Sequence, residues 1–246
     1  NRVLQEVRVR FSLRPPKKMK KILYKISLYS NIFRYWVKSY FNPMNSYENI
    51  VFLEEYFKDK KRGFYIDVGC FHPIRLSNTM FLHLKGWKGM NIDLSKKSID
   101  LFKIARPKDI NLNFGVGSKN ETLDYFYNKK VFANNTFDIH FAKSFLKKDK
   151  IKKGTIEVKK LSYLIENYSS KKKIDLLDID AEGFDFEVLK GIDYEKYVIE
   201  LIMIEVHHYD EKTKKVSREI LDFLTKKNFK LIFGVYPGNC IFKHSI

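Results

Sequence analysis

The chain is short of cysteine, alanine and long apolar runs, and its first fifth is almost free of acid. Two cysteines in 246 residues, Cys70 and Cys240, permit no disulfide framework and no metal-finger spacing. That usage suits a reducing compartment, so a cytoplasmic protein is expected. No apolar stretch reaches the about 18 residues that suggest a membrane-spanning helix. No basic, apolar and cleavage-site succession marks a signal peptide. Residues 1–50 hold eleven Lys/Arg against only Glu6 and Glu48, a net of +9 in a chain that totals +18. With four alanines and an excess of Lys, Ile, Asn and Phe, part of the dispersed positive charge is compositional bias. The chain begins at Asn1 rather than Met, which leaves room for upstream sequence.

What is present is a core. Hydrophobic residues make up 44% and aromatics 15%, enough for one large α/β domain with an appendage. The pattern divides the chain into a basic helical extension, 1–60, and a domain, 61–246. Within the extension, Ile22, Ile26, Tyr29, Phe33 and Trp36 recur at spacings of three and four, which predicts an amphipathic helix over 17–41. Pro15-Pro16 precedes it and Asn42-Pro43 ends it. Its aromatics Tyr24, Tyr29, Phe33, Tyr35 and Trp36 are expected to form the packing face of the helix. A second helix is expected over 47–59.

From residue 64 apolar strands alternate with helices. Strands are expected at 64–68, 90–94, 110–116, 174–180 and 198–206, with helices at 78–84, 95–105, 184–190 and 217–227. The runs 229–236 and 240–243 read as a C-terminal β-hairpin through Pro237-Gly238-Asn239. Such alternation predicts a doubly wound, mostly parallel sheet covered on both faces. Residues 122–127 and 155–159 read as strands around a polar insert near 134–153.

Ligands of doubly wound sheets bind beyond the carboxyl ends of the strands. Those ends here are polar or glycine-containing: Asp67-Val-Gly69-Cys70, Asp93, Gly115-Val-Gly117-Ser118, and Glu205-Val-His207-His208. The densest follows Leu177, where Asp178, Asp180, Glu182, Asp185 and Glu187 place five carboxylates in ten positions. Like charges raise one another's pKa, so a cation, a ligand amine or proton transfer is the expected reason for the cluster. Asp185 and Glu187 fall on the following helix as surface charges, and Glu182 is read either as catalytic or as a helix cap.

The nicotinamide fingerprint is missing, because Gly69 is not followed by Gly-x-x-Gly, and so is a triphosphate loop. A turn without a pyrophosphate cradle, followed by an acidic second-strand end, suits S-adenosylmethionine. Its ribose diol would meet Asp93, and its sulfonium charge suits an acidic ledge. Tyr65-Ile-Asp67-Val-Gly-Cys70, Ser77-Asn-Thr79, Gly86-Trp87-x-Gly89, Asn91-Ile-Asp93 and Ile179-Asp180-Ala-Glu182-Gly183 together resemble the FkbM-type S-adenosylmethionine-dependent methyltransferases, over roughly 63–210. The resemblance implies a class I, Rossmann-like methyltransferase fold and O-methylation of a hydroxyl, often on a sugar or polyketide. Cys70-Phe-His-Pro73 stands where many methyltransferases have Gly-x-Gly. The expected cofactor residues are Asp67, Gly69, Cys70, Phe71, Asn78, Thr79, Asp93, Leu94, Gly115 and Asp178.

An alcohol is a poor nucleophile at neutral pH, so a base or a metal is expected. The candidate catalytic residues are Asp180, Glu182 and His207. The metal alternative is Mn²⁺, Fe²⁺ or Mg²⁺ held by Asp180, Glu205 and His207. His72, in the turn after the first strand, either touches substrate or packs that turn. The expected acceptor is a sugar hydroxyl on a nucleotide-activated sugar or a bacterial surface-polysaccharide precursor. The alternatives are a nucleic acid, from the charge, and a docking role in which the basic N-terminal helix meets a membrane or a partner. That helix is also the candidate for homodimerisation.

Overall fold

The first strand decides the layering. Phe64, Tyr65, Ile66, Asp67 and Val68 are all buried, so both faces of the strand are covered. Phe64, Ile66 and Val68 point into one apolar cluster and Tyr65 into another, as the period of two requires. The computed structural model describes residues 17–41, 48–128, 135–145, 151–206, 215–234 and 238–245. Two helices, α1 (Lys17–Phe41) and α2 (Glu48–Tyr56), lead into β1 (Phe64–Val68). There follow α3 (Met80–Leu84), β2 (Lys88–Ile92), α4 (Lys96–Ala105), β3 (Ile110–Leu112), β4 (Gly115–Val116) and β5 (Glu121–Tyr127). The chain continues through α5 (Ile139–Phe145), β6 (Lys152–Lys159), α6 (Leu161–Tyr168), β7 (Lys173–Ile179) and α7 (Asp185–Lys190). It closes with β8 (Val198–Val206), α8 (Lys215–Lys226), β9 (Phe229–Phe233) and β10 (Gly238–His244).

Seven strands form one sheet in the order β3-β2-β1-β7-β8-β10-β9. The first five run parallel; β10 pairs antiparallel with both β8 and β9. The connection between β9 and β10, residues 235–237, lies outside the described residues. Residues of α6, α7 and α8 pack with Phe64, Ile66 and Val68 on one face. Residues of α2 and α3 pack with Tyr65, Leu176, Leu201 and Met203 on the other. This is a mixed α/β architecture with a mostly parallel central sheet, as expected. Its crossover lies between β1 and β7, where chain order reverses and a crevice opens.

Two local expectations need correction, and one helix, α6, was not expected. The run 110–116 is two strands rather than one. Asn113 donates from Nδ2 to the carbonyls of Asp93 and Leu94, both at 2.9 Å, and this side-chain bonding interrupts the ladder. β4 then leaves the main sheet and pairs with β6 in a second sheet, ordered β4-β6-β5. The helix α6 lacks a start signal, since Lys160 occupies its N-cap without a side-chain cap. The face of α1 is the second correction. Of the aromatics expected to pack, Tyr24 and Tyr35 meet the domain, together with Leu28 and Asn31, but Tyr29, Phe33 and Trp36 are exposed along with Ile22 and Ile26. Spacing identifies an apolar stripe on a helix, but it does not say whether the protein body covers that stripe.

Candidate functional site

Gly69, one residue past β1, is the hinge of the site. Its φ of +81° is a left-handed conformation that suits glycine. A Cβ there would stand 1.8 Å from the carbonyl oxygen of Asp180. The close approach brings the end of β1 against the end of β7, and pockets open on either side. One is lined by Gly69, Asp93, Leu94, Phe114, Gly115, Asp180 and Glu182 among others. The second is lined by Asp67, Gly69, Cys70, Phe71, Leu76, Ser77, Asn78, Asp178 and Asp180. Gly69 and Asp180 line both. The expected residues therefore divide into two groups, with Asp93, Leu94, Gly115 and Glu182 on one side and Asp67, Cys70, Phe71, Asn78 and Asp178 on the other.

Asp93 is buried with its carboxylate already engaged. Oδ2 accepts from the Phe71 amide at 2.8 Å and Oδ1 from the Ser95 amide at 2.6 Å. Burial pushes its pKa up to about 6, against the lowering effect of the two amides. Each oxygen keeps a second lone pair for a ligand hydroxyl. Ser95 then caps α4 by accepting from the Ser98 amide at 3.3 Å.

Asp67 sits on a polar rung, paired in register with Asn91 on one side and Asp178 on the other. Its Oδ2 accepts from Thr79 Oγ1 at 2.6 Å, and burial raises its pKa to about 6. Thr79 is fully buried and lines neither pocket, so it orients Asp67 rather than facing a ligand. Asp178 is raised well above the carboxylate range by burial and then by Asp67, with Asn78 Nδ2 donating to it at 3.5 Å.

The residue that the sequence conceals is Arg106. It is 1% exposed. Its guanidinium donates to Tyr65 Oη, Thr79 Oγ1, Ser77 Oγ and the Pro73 carbonyl, at 2.6 to 2.9 Å. This one cation ties the turn after β1 to the floor of the site. Its only signal is scarcity: nine of the 47 Lys/Arg are arginine, and Arg106 is the one between residues 76 and 217.

The acidic turn after β7 is strained. Glu182 has φ +51° and Gly183 +89°, two successive left-handed residues, which cluster at functional sites. Asp185 holds the turn: it is buried, and it accepts from the Ala181 amide at 2.7 Å and the Gly183 amide at 3.1 Å. It is not the surface charge expected of it, because these two amides need an internal acceptor. Glu187 bonds Ser118 and Lys190. The N-cap of α7 is Phe184, which makes no side-chain cap hydrogen bond.

Carboxylate oxygens of Asp180, Glu182 and Glu205 lie within 4.8 Å of one another. Asp180 Oδ1 is buried with no hydrogen-bond partner among the described residues. Burial, followed by the charges of Glu205, Glu182 and Asp185, pushes Asp180 well above the ordinary range. Such a group binds a proton or a cation. His207 and His208 lie outside the described residues.

His72 packs its turn. Its Nδ1 accepts from the Ile74 and Arg75 amides, at 3.1 and 3.0 Å, so Nε2 carries the proton and donates to Asn31 Oδ1 at 2.8 Å. Burial, assisted by Arg75 and Arg106, lowers its pKa to about 3, so the ring stays neutral.

Beside the first pocket lies a groove of about 370 Å³, lined by Tyr24, Ser95, Lys96, Lys97, Tyr125, Tyr127 and Asn135. Tyr125 and Tyr127 share one face of β5 and stack with centroids 5.5 Å apart. Asn135 also lines the first pocket, so the two cavities adjoin. The family model of the methyltransferase FkbM domain matches residues 67–231, more than half of the chain. No curated protein matches it.

Proposed function

The chain belongs to the methyltransferase FkbM domain family and is a methyltransferase, and from this we propose that it transfers a methyl group from S-adenosylmethionine to a sugar hydroxyl on a phosphorylated or nucleotide-linked acceptor. The observation that carries this reading is the groove, where stacked Tyr125 and Tyr127 offer a platform for a sugar or base and Lys96 and Lys97 offer cations for phosphate. It adjoins the pocket holding Asp93 and Asp180.

S-adenosylmethionine supplies a methyl group on a positively charged sulfur. The residues present suit it. Asp93 retains acceptor capacity for a ribose diol, with Leu94 and Phe114 beside it for an adenine. Asp67, Asn78 and Asp178 line the other pocket for an amino-acid end. Asp180, with its unpartnered buried oxygen, meets positive charge between the two. In the role proposed for it, Asp180 takes the proton of the acceptor hydroxyl, a contribution of about 10²–10⁴-fold. The neighbouring Glu205 and Glu182 keep its basicity high.

A second reading rests on the same three carboxylates. Oxygens from Asp180, Glu182 and Glu205 within 4.8 Å of one another suit a hard divalent cation, Mg²⁺ or Mn²⁺, better than Fe²⁺. Such an ion would lower the pKa of the acceptor hydroxyl. Activity lost in chelator and restored by Mg²⁺ or Mn²⁺ supports this reading; turnover unchanged in chelator leaves Asp180 as the base.

The experiment for the main reading has two stages. Titration calorimetry with S-adenosylhomocysteine is expected to show binding, and its absence would remove the donor assignment. A methyl-transfer screen then compares nucleotide sugars, free sugars and RNA oligonucleotides. Turnover on the first class is expected, and turnover on RNA alone would replace the sugar acceptor with a nucleic acid.

A further inference from the structure

Helix α1 carries seven basic residues and no acidic one. One face holds it to the domain. Leu28 is buried, Tyr24 Oη donates to Asp100 at 2.8 Å, Asn31 accepts from His72 at 2.8 Å, and Tyr35 meets the His72 ring edge-on at 4.8 Å. The opposite face is uncovered among the described residues. Ile22, Ile26, Tyr29, Phe33 and Trp36 are between 50% and 65% exposed. At about 100° per residue these five fall within an arc of roughly 80°. By the same spacing Lys18, Lys21 and Lys25 run along one border of the stripe, and Arg34 lies beyond the other.

We propose that the outer face of α1 lies in the surface of an anionic phospholipid bilayer, with Ile22, Ile26, Phe33 and Trp36 inserted at the headgroup boundary and Lys18, Lys21 and Lys25 against the lipid phosphates. An interfacial helix has this construction, with an apolar face and a cationic flank but too little apolar character to cross the bilayer. Aromatic rings with polar edges, here Tyr29 and Trp36, favour that depth. Lysine stems extend alongside so that their ammonium groups stay in water. Charge argues against the other occupants. Two copies meeting through this face would bring Lys18, Lys21 and Lys25 of each beside the stripe of the other, with no acid on either helix to offset them. A nucleic acid would engage the lysines but leave the aliphatic part of the stripe in water. The inner face meets the turn after β1 through His72, so the docked surface lies one side chain from the cofactor-side loop.

The chain contains its own probe. Of its two tryptophans, Trp87 is 1% exposed and Trp36 57%. The full chain is mixed with vesicles of phosphatidylcholine and phosphatidylglycerol, and with phosphatidylcholine alone. Co-sedimentation with the anionic vesicles is expected, together with a blue shift of emission that Trp36→Phe removes. Binding should weaken as salt rises from about 0.1 to about 0.5 M. The pair Ile26→Ser and Phe33→Ser should lower partitioning by about tenfold or more, as should reversing Lys18, Lys21 and Lys25 to Glu. Both changes lie on exposed positions, and an unaltered melting temperature verifies the fold. No sedimentation with anionic vesicles would overturn the proposal. So would sedimentation without a Trp36 shift, which is adsorption by charge alone. A dimer in the absence of lipid that Phe33→Ser dissolves, or salt-sensitive RNA binding lost in the Lys→Glu variant with no vesicle binding, would assign the face to another partner.

Discussion

Gly69 and Asp180 meet backbone to backbone at the crossover of the sheet, with only 1.8 Å between the place of a Gly69 Cβ and the Asp180 carbonyl oxygen. Gly69→Ala must therefore part the ends of β1 and β7 as well as adopt a positive φ. Gly86 has a similar φ of +85° but nothing within 4 Å of its Cβ position. Gly86→Ala should cost about 1 kcal/mol, the conformational part alone. Gly69→Ala should cost clearly more and should also abolish S-adenosylhomocysteine binding. Thermal melts and calorimetry on both variants check the contrast.

Asp180→Asn removes the proposed base and keeps the shape. Turnover should fall by about 10²–10⁴-fold while affinity for S-adenosylhomocysteine, which lacks the sulfonium, stays within a small factor. Retained turnover would end the role given to Asp180.

Proton release on donor binding follows from the charge of the site. Asp180 and Asp178 hold protons because burial and neighbouring carboxylates raise them well above the ordinary range. A sulfonium lowers both, so binding of S-adenosylmethionine should expel protons and strengthen as pH rises through the raised values. S-adenosylhomocysteine keeps the ammonium of the amino-acid end but lacks the sulfonium, so it should show a smaller effect of each kind. Calorimetry in buffers of different ionisation enthalpy measures the difference.

Stability should carry the same signature. In the folded protein Asp178 keeps a proton that the unfolded chain loses near pH 4, so stability falls as pH rises from there towards its raised pKa. Asp178→Asn removes that loss. The variant should match the parent in melting temperature near pH 4 and exceed it increasingly as pH rises above that, by about 2–4 °C for each kcal/mol. A difference independent of pH would contradict the assignment.

Arg106→Met should destabilise by about 3–5 kcal/mol, since it strips a buried network of its central guanidinium and leaves Asp67 without that compensating charge. Denaturant melts of the variant, with S-adenosylhomocysteine binding as a second readout, test this. A loss below about 1 kcal/mol would mean that the turn after β1 is held by other contacts.

Part of this architecture is written in the order of residues alone. Apolar strands alternating with helices imply a covered parallel sheet, because a strand buried on both faces must be largely apolar, as in Phe64–Val68 and Ile174–Ile179. Chemistry then gathers at the strand ends, where Asp67, Gly69, Asp93, Asp178 and Asp180 all line the pockets. The split of 110–116 was not legible, because it depends on Asn113 reaching the carbonyls after β2. Arg106 was hidden because its four acceptors lie 27 to 41 positions away and only folding assembles them. Asp185 has the sequence of a surface charge, and only the strained turn supplies its two amides. The stripe of α1 shows the limit most plainly. Its period of three and four can be read from the chain, but whether protein or another phase covers it depends on which face Leu28, Asn31 and Tyr35 fasten to the domain. That choice is made by the long-range fit of one helix against the turn around His72, a contact between residues about 40 positions apart that exists only once the chain has folded.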